Sequence, residues 1–320
     1  MPPPLPQRAL RTALLLETGV TRGELAGPRW RAPHRGVRSP QVAQPDDPLQ
    51  RIYDAAELVP PGGALAGWAA AYLLGATDLD GRGRSGRDRE PIRIVIPREL
   101  HLVPRERVVY WRSVLGPGDV REVGGIPVTA PLRTAFDLAR THPLENAVVA
   151  LDVIGRQLGV APAAVDEFLR AHRRFRGVPV GLRAAGLADP RSRSCGESRL
   201  RVIWIVDARL SRPESNPLVV DGDGVVVAMP DLLDTGTGLA AEYDGSGHRE
   251  LSAHTHDNAR EEEMEGVGLI VVRATSLDVG PRRQATVRRL LDGHRRALAL
   301  DQSSRSWGWR PSRLPPMIQW

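Results

Sequence analysis

The chain has 320 residues, of which 41% are hydrophobic, 26% charged and 4% aromatic, so it is long enough for about two ordinary globular domains. Its single cysteine, Cys195, excludes an intramolecular disulfide framework and a multi-cysteine zinc or iron–sulfur site. No apolar run reaches the ~18 residues of a membrane span and no signal-peptide layout is present, so we predict a cytoplasmic chain without membrane contact.

The basic residues favour a polyanionic partner. The formal net charge is +6, and all 44 basic residues are arginines. A guanidinium can contact two phosphate oxygens at once, which suits nucleic acid. A gene rich in G and C would produce the same replacement of lysine by arginine, so the bias alone does not decide the partner.

Residues 1–40 predict a small N-terminal unit. An apolar stretch over residues 9–17 favours a first helix. Thr21, followed three residues later by Glu24, has the spacing of a capping box, so a second helix begins there. The Arg-rich segment 29–38 follows almost directly, which leaves room for only a short second helix.

This arrangement resembles the N-terminal winged helix-turn-helix of AbiEi-type antitoxins, in which a wing follows the recognition helix. The resemblance implies a DNA-contacting unit, for which the candidate residues here are Arg22, Arg31 and Arg35. Base readout needs a helix or β-ribbon in the groove, so a shortened recognition helix argues against sequence-specific binding. A small packing module with a solvated basic loop is the alternative.

Residues 41–188 predict a mixed α/β middle region to which no chemistry can be assigned. The alternating segment Ile92–Ile96 favours a strand, residues 107–115 a second strand, and residues 120–128 a hairpin around Gly124-Gly125. Helices are predicted at 49–58, 64–75, 131–140, 143–157, 162–173 and 179–187.

Residues 189–300 predict an α-β-β-β-α-β-α order. In chain order, the predicted elements are a helix over 194–209, a strand over 218–220, a second strand over 225–233, a third over 239–243, a polar helix over 252–265, a strand over 267–272 and a helix over 281–300. Residues 301–320 are predicted to be disordered, although their tryptophans and arginines would also suit stacking on bases.

Acidic residues flank a predicted hairpin in this region. Counting inwards from Asp231 and Glu242 pairs Leu232 with Ala241 and leaves a four-residue loop, a common hairpin length. Asp231 then lies opposite Glu242, and Asp244 lies on the same face two residues further on. Because opposed like charges destabilise a sheet, we expect these three carboxylates to converge on a hard divalent cation.

Several separated segments of this region resemble the PD-(D/E)xK nuclease superfamily, specifically its branch near very-short-patch-repair endonucleases. The matching segments are Ser194–Leu200, Pro230-Asp231, Glu242–Gly245 with His248, Asp257–Arg260 and Gly268–Arg273. The resemblance implies a restriction-endonuclease-like α-β-β-β-α-β core over 189–300. The fold class predicted for the whole chain is therefore mixed α/β (α+β), with a small N-terminal winged-helix-like unit and a mixed middle region.

The resemblance also implies site roles. Asp231, Glu242 and Glu197 would be ligands of Mg²⁺ or Mn²⁺, and Asp244 occupies the place where the wider superfamily carries lysine. His248 becomes the candidate proton acceptor because imidazole titrates near neutrality. Arg249 and Arg260 are candidate contacts to the DNA phosphate. The implied function is metal-dependent hydrolysis of DNA, in repair or in defence against mobile elements.

Each of these roles has a simpler alternative. Glu197 lies three residues after Ser194 and could complete a capping box, and Asp231 could be a turn residue after Pro230. Glu242 and Asp244 could be solvated charges on an edge strand, and His248 could be an exposed loop residue. The alternative function is a non-catalytic DNA-binding regulator of the antitoxin type, which retains the nuclease fold without its activity.

Overall fold

The computed structural model describes residues 8–41, 44–83, 88–245, 264–301 and 305–316. The protein is a mixed α/β chain with several sheets. The chain divides into two compact units, with the division between Leu138 and Ala139 inside a helix, whereas the sequence predicts domain boundaries after residues 40, 188 and 300. Within the described ranges, every helix is too short or too polar to cross a membrane.

The first unit begins with a small three-stranded sheet. The Thr21–Glu24 capping box is confirmed, because the Thr21 hydroxyl accepts from the Glu24 N–H and the Glu24 carboxylate accepts from the Thr21 N–H. The predicted first helix is wrong at Leu10 and Arg11, which instead form a strand that pairs with Arg38 and Val37. The elements are β1 (Leu10–Arg11), α1 (Thr12–Glu17), α2 (Arg22–Ala26), β2 (Trp30–Arg31) and β3 (Val37–Pro40), in the sheet order β1-β3-β2.

The rest of the first unit is a five-stranded mixed sheet covered by helices. The hairpin around Gly124-Gly125 is confirmed, and both glycines have positive φ, as a tight two-residue hairpin turn requires. The predicted helix over 64–75 is wrong at its start, where the chain forms a strand. The elements are α3 (Pro48–Ala56), β4 (Ala64–Ala66), α4 (Gly67–Leu73), β5 (Ile92–Ile96), β6 (Val108–Arg112), β7 (Val120–Val123), β8 (Ile126–Thr129) and α5 (Pro131–Thr141), in the sheet order β6-β5-β4-β8-β7.

The second unit opens with helices that the sequence predicts correctly and continues into a four-stranded sheet. The helices are α6 (Leu144–Leu158), α7 (Pro162–Ala171), α8 (Val178–Leu187) and α9 (Cys195–Val202), which runs into a π-helical turn over Ile203–Asp207. The sheet strands are β9 (Glu214–Ser215), β12 (Leu232–Leu233), β13 (Leu239–Asp244) and β14 (Ile270–Thr275), in the order β14-β13-β12-β9. β9, β12 and β13 are antiparallel neighbours, and β14 runs parallel to β13.

Alternation along these strands gives the sheet two different faces. Leu232, Leu239 and Ala241 pack against α9 and against the last helix, α10 (Arg283–Leu298). Leu233 and Ala240 point to the opposite face, where they pack against a second cluster that contains Val219, Leu269 and Trp307. By the same alternation, Asp231, Glu242 and Asp244 extend this second face beyond its apolar part.

A separate three-stranded sheet covers the apolar part of that second face. It contains β10 (Leu218–Val220), β11 (Val226–Ala228) and β15 (Gly308–Arg310) in the order β11-β10-β15, so β12 does not continue the second predicted strand. The predicted disorder of the C-terminal segment is wrong at β15, which pairs with β10, and at Trp307, which is only 7% exposed. The burial of this large aromatic surface is what holds the segment in place, and it removes Trp307 from any base-stacking role.

Candidate functional site

The β12–β13 hairpin has the predicted register. Leu232 pairs with Ala241 and Leu233 with Ala240, and Thr235–Gly238 form the four-residue loop. The loop is held by Asp234, whose carboxylate accepts from the Gly236 N–H at 3.0 Å and from the Thr237 hydroxyl at 2.8 Å. The turn chemistry therefore fixes which residues of the two strands face each other.

The Asp231 carboxylate lies against the backbone of β13. Its Oδ2 accepts a hydrogen bond of 2.7 Å from the N–H of Tyr243, the residue between Glu242 and Asp244. Asp231, Glu242 and Asp244 are all half-buried. The structure thus brings the Asp231 side chain beside the two acidic residues of the neighbouring strand.

Helix α9 reaches the hairpin because Gly196 has no side chain. The ring of Tyr243 packs on Gly196, and a Cβ at this position would lie closer than 3.0 Å to three ring atoms. Ser194 caps the helix by accepting from the Glu197 N–H at 3.1 Å. The Ser-Cys-Gly-Glu segment therefore places the first turn of α9 directly on β13.

Glu197 is held at this helix end by two hydrogen bonds. It is 6% exposed, and its Oε2 accepts from the Arg193 N–H at 2.7 Å and from Asn216 Nδ2 at 2.9 Å. The predicted capping box is thus only partly present, because the Glu197 carboxylate bonds to the N–H of Arg193 and not to that of Ser194. The negative charge lies at the positive end of the helix dipole.

Asn216 joins Glu197 to Asp231 and was not identified from the sequence. Besides its bond to Glu197, its backbone N–H donates to the Asp231 carbonyl at 2.9 Å, and Nδ2 also donates to the Arg191 carbonyl at 3.0 Å. Its φ is +50°, a conformation that asparagine adopts more readily than most residues. The Asn-Pro pair at this point is the sequence signal that marks such a turn.

A buried ion pair fixes α9 to the preceding helices. Arg201 on α9 donates to Asp152 of α6 at 2.5 Å, and both side chains are almost fully buried. The Asp189 N–H donates to the same carboxylate at 2.7 Å, and Arg201 also donates to the hydroxyls of Ser192 and Ser215. Burial raises the pKa of Asp152, and the charge of Arg201 opposes that rise. These bonds position α9, which carries Glu197, and β9, which directly precedes Asn216.

Arg273 is a second residue that sequence reasoning did not assign a role. It is the partner of Glu242 across the parallel β13–β14 ladder, so its side chain leaves the sheet on the same face. A cation beside the carboxylates offsets part of their repulsion. The only sequence signal is that the apolar stretch Gly268–Val272 ends in an arginine.

The acidic residues share a face but do not form a three-ligand cluster. Among the described residues, no three histidine, cysteine, aspartate or glutamate side chains come together closely enough to hold a metal ion. The expectation that Asp231, Glu242 and Asp244 all converge is therefore wrong. Residues two apart on a strand are separated by about 6.6 Å, which carries Asp244 one step beyond the Asp231–Glu242 position.

The remaining predicted site residues fall into two groups. His248, Arg249 and Arg260 lie outside the described residues. In the N-terminal unit, Arg22 at the start of α2 and Arg35 in the β2–β3 turn are exposed. Arg31, in contrast, donates to Asp54 at 2.6 Å with both side chains largely buried, so its guanidinium already has a structural partner.

Comparisons with known proteins give distant relatives. No protein-family model and no solved structure matches the chain. Two curated proteins of Mycobacterium tuberculosis, one from strain CDC 1551 / Oshkosh and one from strain ATCC 25618 / H37Rv, are similar to it, and both are named as uncharacterized proteins. Each is 28% identical over 166 residues, which cover 50% of this chain and 59% of the relative. The chain thus spans less than two thirds of the length of the curated relatives it matches.

Proposed function

We propose that the chain is a metal-dependent endonuclease that hydrolyses phosphodiester bonds in DNA. The observation that carries the proposal is the hydrogen bond between Asp231 and the Tyr243 N–H, which sets one carboxylate beside Glu242 on a common face. Further support comes from the sheet that follows α9, in which β9, β12 and β13 are antiparallel neighbours and β14 runs parallel to β13. The polar helix that the resemblance places between the third and fourth strands, predicted over 252–265, falls almost wholly outside the described residues.

The donor set suits a hard cation. Carboxylate oxygens are the ligands that Mg²⁺ prefers, and Mg²⁺ is usually held by one or two carboxylates together with waters and substrate phosphates. Asp231 and Glu242 would hold the ion, and waters and a DNA phosphate would complete its coordination. When bound, the ion would polarise a phosphoryl oxygen and lower the pKa of water beside it.

The protein's own residues would orient the metal-binding carboxylates and bind the DNA phosphate. The Tyr243 N–H fixes the direction of the Asp231 carboxylate, and Asn216 ties the backbone of Asp231 to Glu197 on α9. The Arg273 guanidinium has N–H donors and no acceptor, so it can bind a phosphate oxygen and stabilise the negative charge that develops there.

Nicking of supercoiled plasmid in Mg²⁺ or Mn²⁺ tests the proposal. Wild type should nick, and Glu242→Gln and Asp231→Asn should each lower the rate at least about 100-fold, since even the loss of an outer-shell partner costs a metal site 10–100-fold. The control is Glu122→Gln, which neutralises an exposed strand glutamate of the other unit and should leave the rate unchanged. Wild type that binds duplex DNA but nicks in neither metal would instead support the non-catalytic regulator.

A further inference from the structure

Three arginines lie in the turn between α7 and α8, in the unit that carries the carboxylate face. Arg173, Arg174 and Arg176 are exposed, and none of them pairs with an acidic side chain of the described residues. The acidic Asp166 of α7 is already paired with Arg170 through hydrogen bonds of 2.5 and 3.2 Å. The turn therefore presents a concentrated positive charge to solvent.

Aromatic rings and a close backbone contact hold this turn in one shape. The rings of Phe168 and His172 stack with their centroids 4.1 Å apart, and Phe175 meets His172 edge-on at 5.9 Å. The Arg140 guanidinium lies 5.0 Å from the centre of the Phe175 ring. Gly177 has a φ of +85°, and a Cβ there would overlap the carbonyl of Arg140. The turn therefore packs directly on the last residues of α5, which belong to the same unit as the turn.

We infer that this turn is a phosphate-contacting surface through which the protein holds the backbone of duplex DNA. The inference rests on the proposed function, because it supplies that site with a second DNA contact. Arginine binds phosphate oxygens in pairs through its planar fork. The N-terminus of α8, which begins at Val178 without a side-chain cap, adds partial positive charge at the same end of the turn.

A fixed surface of this kind positions a duplex without reading its sequence. Because the turn is already ordered, little further backbone freedom is lost when it binds. Phosphate contacts carry no base information, so the surface would set the register and orientation of the DNA. Helix α8, which leads from the turn towards α9, is about 15 Å long. This length equals the rise of about four to five base pairs, so a single duplex is long enough to contact both ends of α8.

Salt-dependent binding of the full-length protein to a fluorescein-labelled random-sequence duplex tests the inference, with EDTA present so that no cleavage occurs. Each phosphate contact contributes about 0.9 to the slope of log K against log salt, so Arg173→Ala/Arg174→Ala/Arg176→Ala should lower that slope by about 2.7 between about 50 and 200 mM NaCl. We expect affinity to fall at least about tenfold at the lower salt concentration. The corresponding triple lysine variant keeps the charge and should retain most of the slope.

The control removes the same net charge from another surface. Arg282, Arg288 and Arg296 are exposed in or next to α10, and their triple alanine variant should bind almost as wild type does. An unchanged slope in the turn variant, or an equal loss in the control, overturns the inference. Loss of the slope in the lysine variant also overturns it, since the effect would then be structural.

The two proposals fail in different ways. If the wild type nicks plasmid but the turn variant keeps the wild-type salt slope, the nuclease proposal stands and the turn is rejected as a DNA contact. If the turn variant loses the expected part of the slope but the wild type does not nick in Mg²⁺ or Mn²⁺, the DNA contact stands and the nuclease proposal is rejected.

Discussion

The contact between Gly196 and Tyr243 gives a sharp test of how α9 is placed on the carboxylate hairpin. In Gly196→Ala the new methyl group would lie closer than 3.0 Å to three atoms of the Tyr243 ring, where ordinary contacts are 3.4–4 Å. The ring, the helix or the strand must therefore move. Overpacking of this kind costs about 1–3 kcal/mol, which exceeds the 0.5–1 kcal/mol that replacing glycine by alanine gains in a helix.

Urea unfolding followed by circular dichroism measures this cost. For a loss of about 2 kcal/mol and a slope of about 3 kcal/mol per molar, the midpoint of Gly196→Ala should fall by about 0.7 M. Gly186→Ala is the matched control, because Gly186 lies in α8 and a Cβ there meets nothing within 4 Å. This control should unfold at the same or a higher urea concentration than wild type.

A second substitution separates the ring contact from other effects of the alanine. Replacing Tyr243 by leucine shortens the side chain, so the double variant Gly196→Ala/Tyr243→Leu should lose less stability than the two single variants together. Residues in direct contact couple by about 0.5–3 kcal/mol in such cycles. If Gly196→Ala unfolds at or above the wild-type midpoint, or if the two changes are additive, the contact does not constrain the helix.

Two further predictions concern buried or partly buried charges in the same unit. Asp152→Ala leaves Arg201 buried without its carboxylate and should lower the free energy of unfolding by about 3–5 kcal/mol. The double variant Asp152→Leu/Arg201→Met removes both charges and should lose much less stability. Urea titration measures both. Burial alone would raise the pKa of Asp278, but hydrogen bonds and a nearby arginine outweigh it and hold the pKa below its usual value. This carboxylate therefore stabilises the fold above its unfolded pKa of about 3.9 and loses that effect as the pH falls through its folded pKa, so the deficit of Asp278→Asn should be full at pH 7 and shrink in acid.

Local patterns were sufficient to predict the hairpin. The side-chain period of a strand is two residues, so the separation of Asp231 and Glu242 and a four-residue loop fix one register, which the structure has. The helices of residues 131–187 follow from the same kind of local periodicity. In both cases the determining residues are close together in the sequence.

The features that local patterns did not predict depend on contacts between distant residues. Strand β9 has two residues, too few for a periodic signal, and the pairing of Leu218 with Arg310 joins segments more than ninety positions apart. Burial of Trp307 against that sheet turns a polar, proline-bearing tail into part of the core. Asn216 could be recognised as a turn residue, but its bond to Glu197 requires knowing that β9 and α9 meet.

The absence of lysine limits the roles open to the cation at this site. Arg273, the register partner of Glu242, comes from a different strand than the position at which nucleases of the resembled superfamily carry lysine, Asp244 here. A lysine can lose its proton when its pKa is lowered by burial, but arginine remains charged in proteins. An arginine can therefore stabilise charge on a phosphate, but it is not a suitable acceptor for the proton of the attacking water. Under the proposed function, the proton of the attacking water must therefore pass to a different group. Arg273→Lys would introduce a lysine on β14, whereas the resembled superfamily carries its lysine at the position of Asp244 on β13.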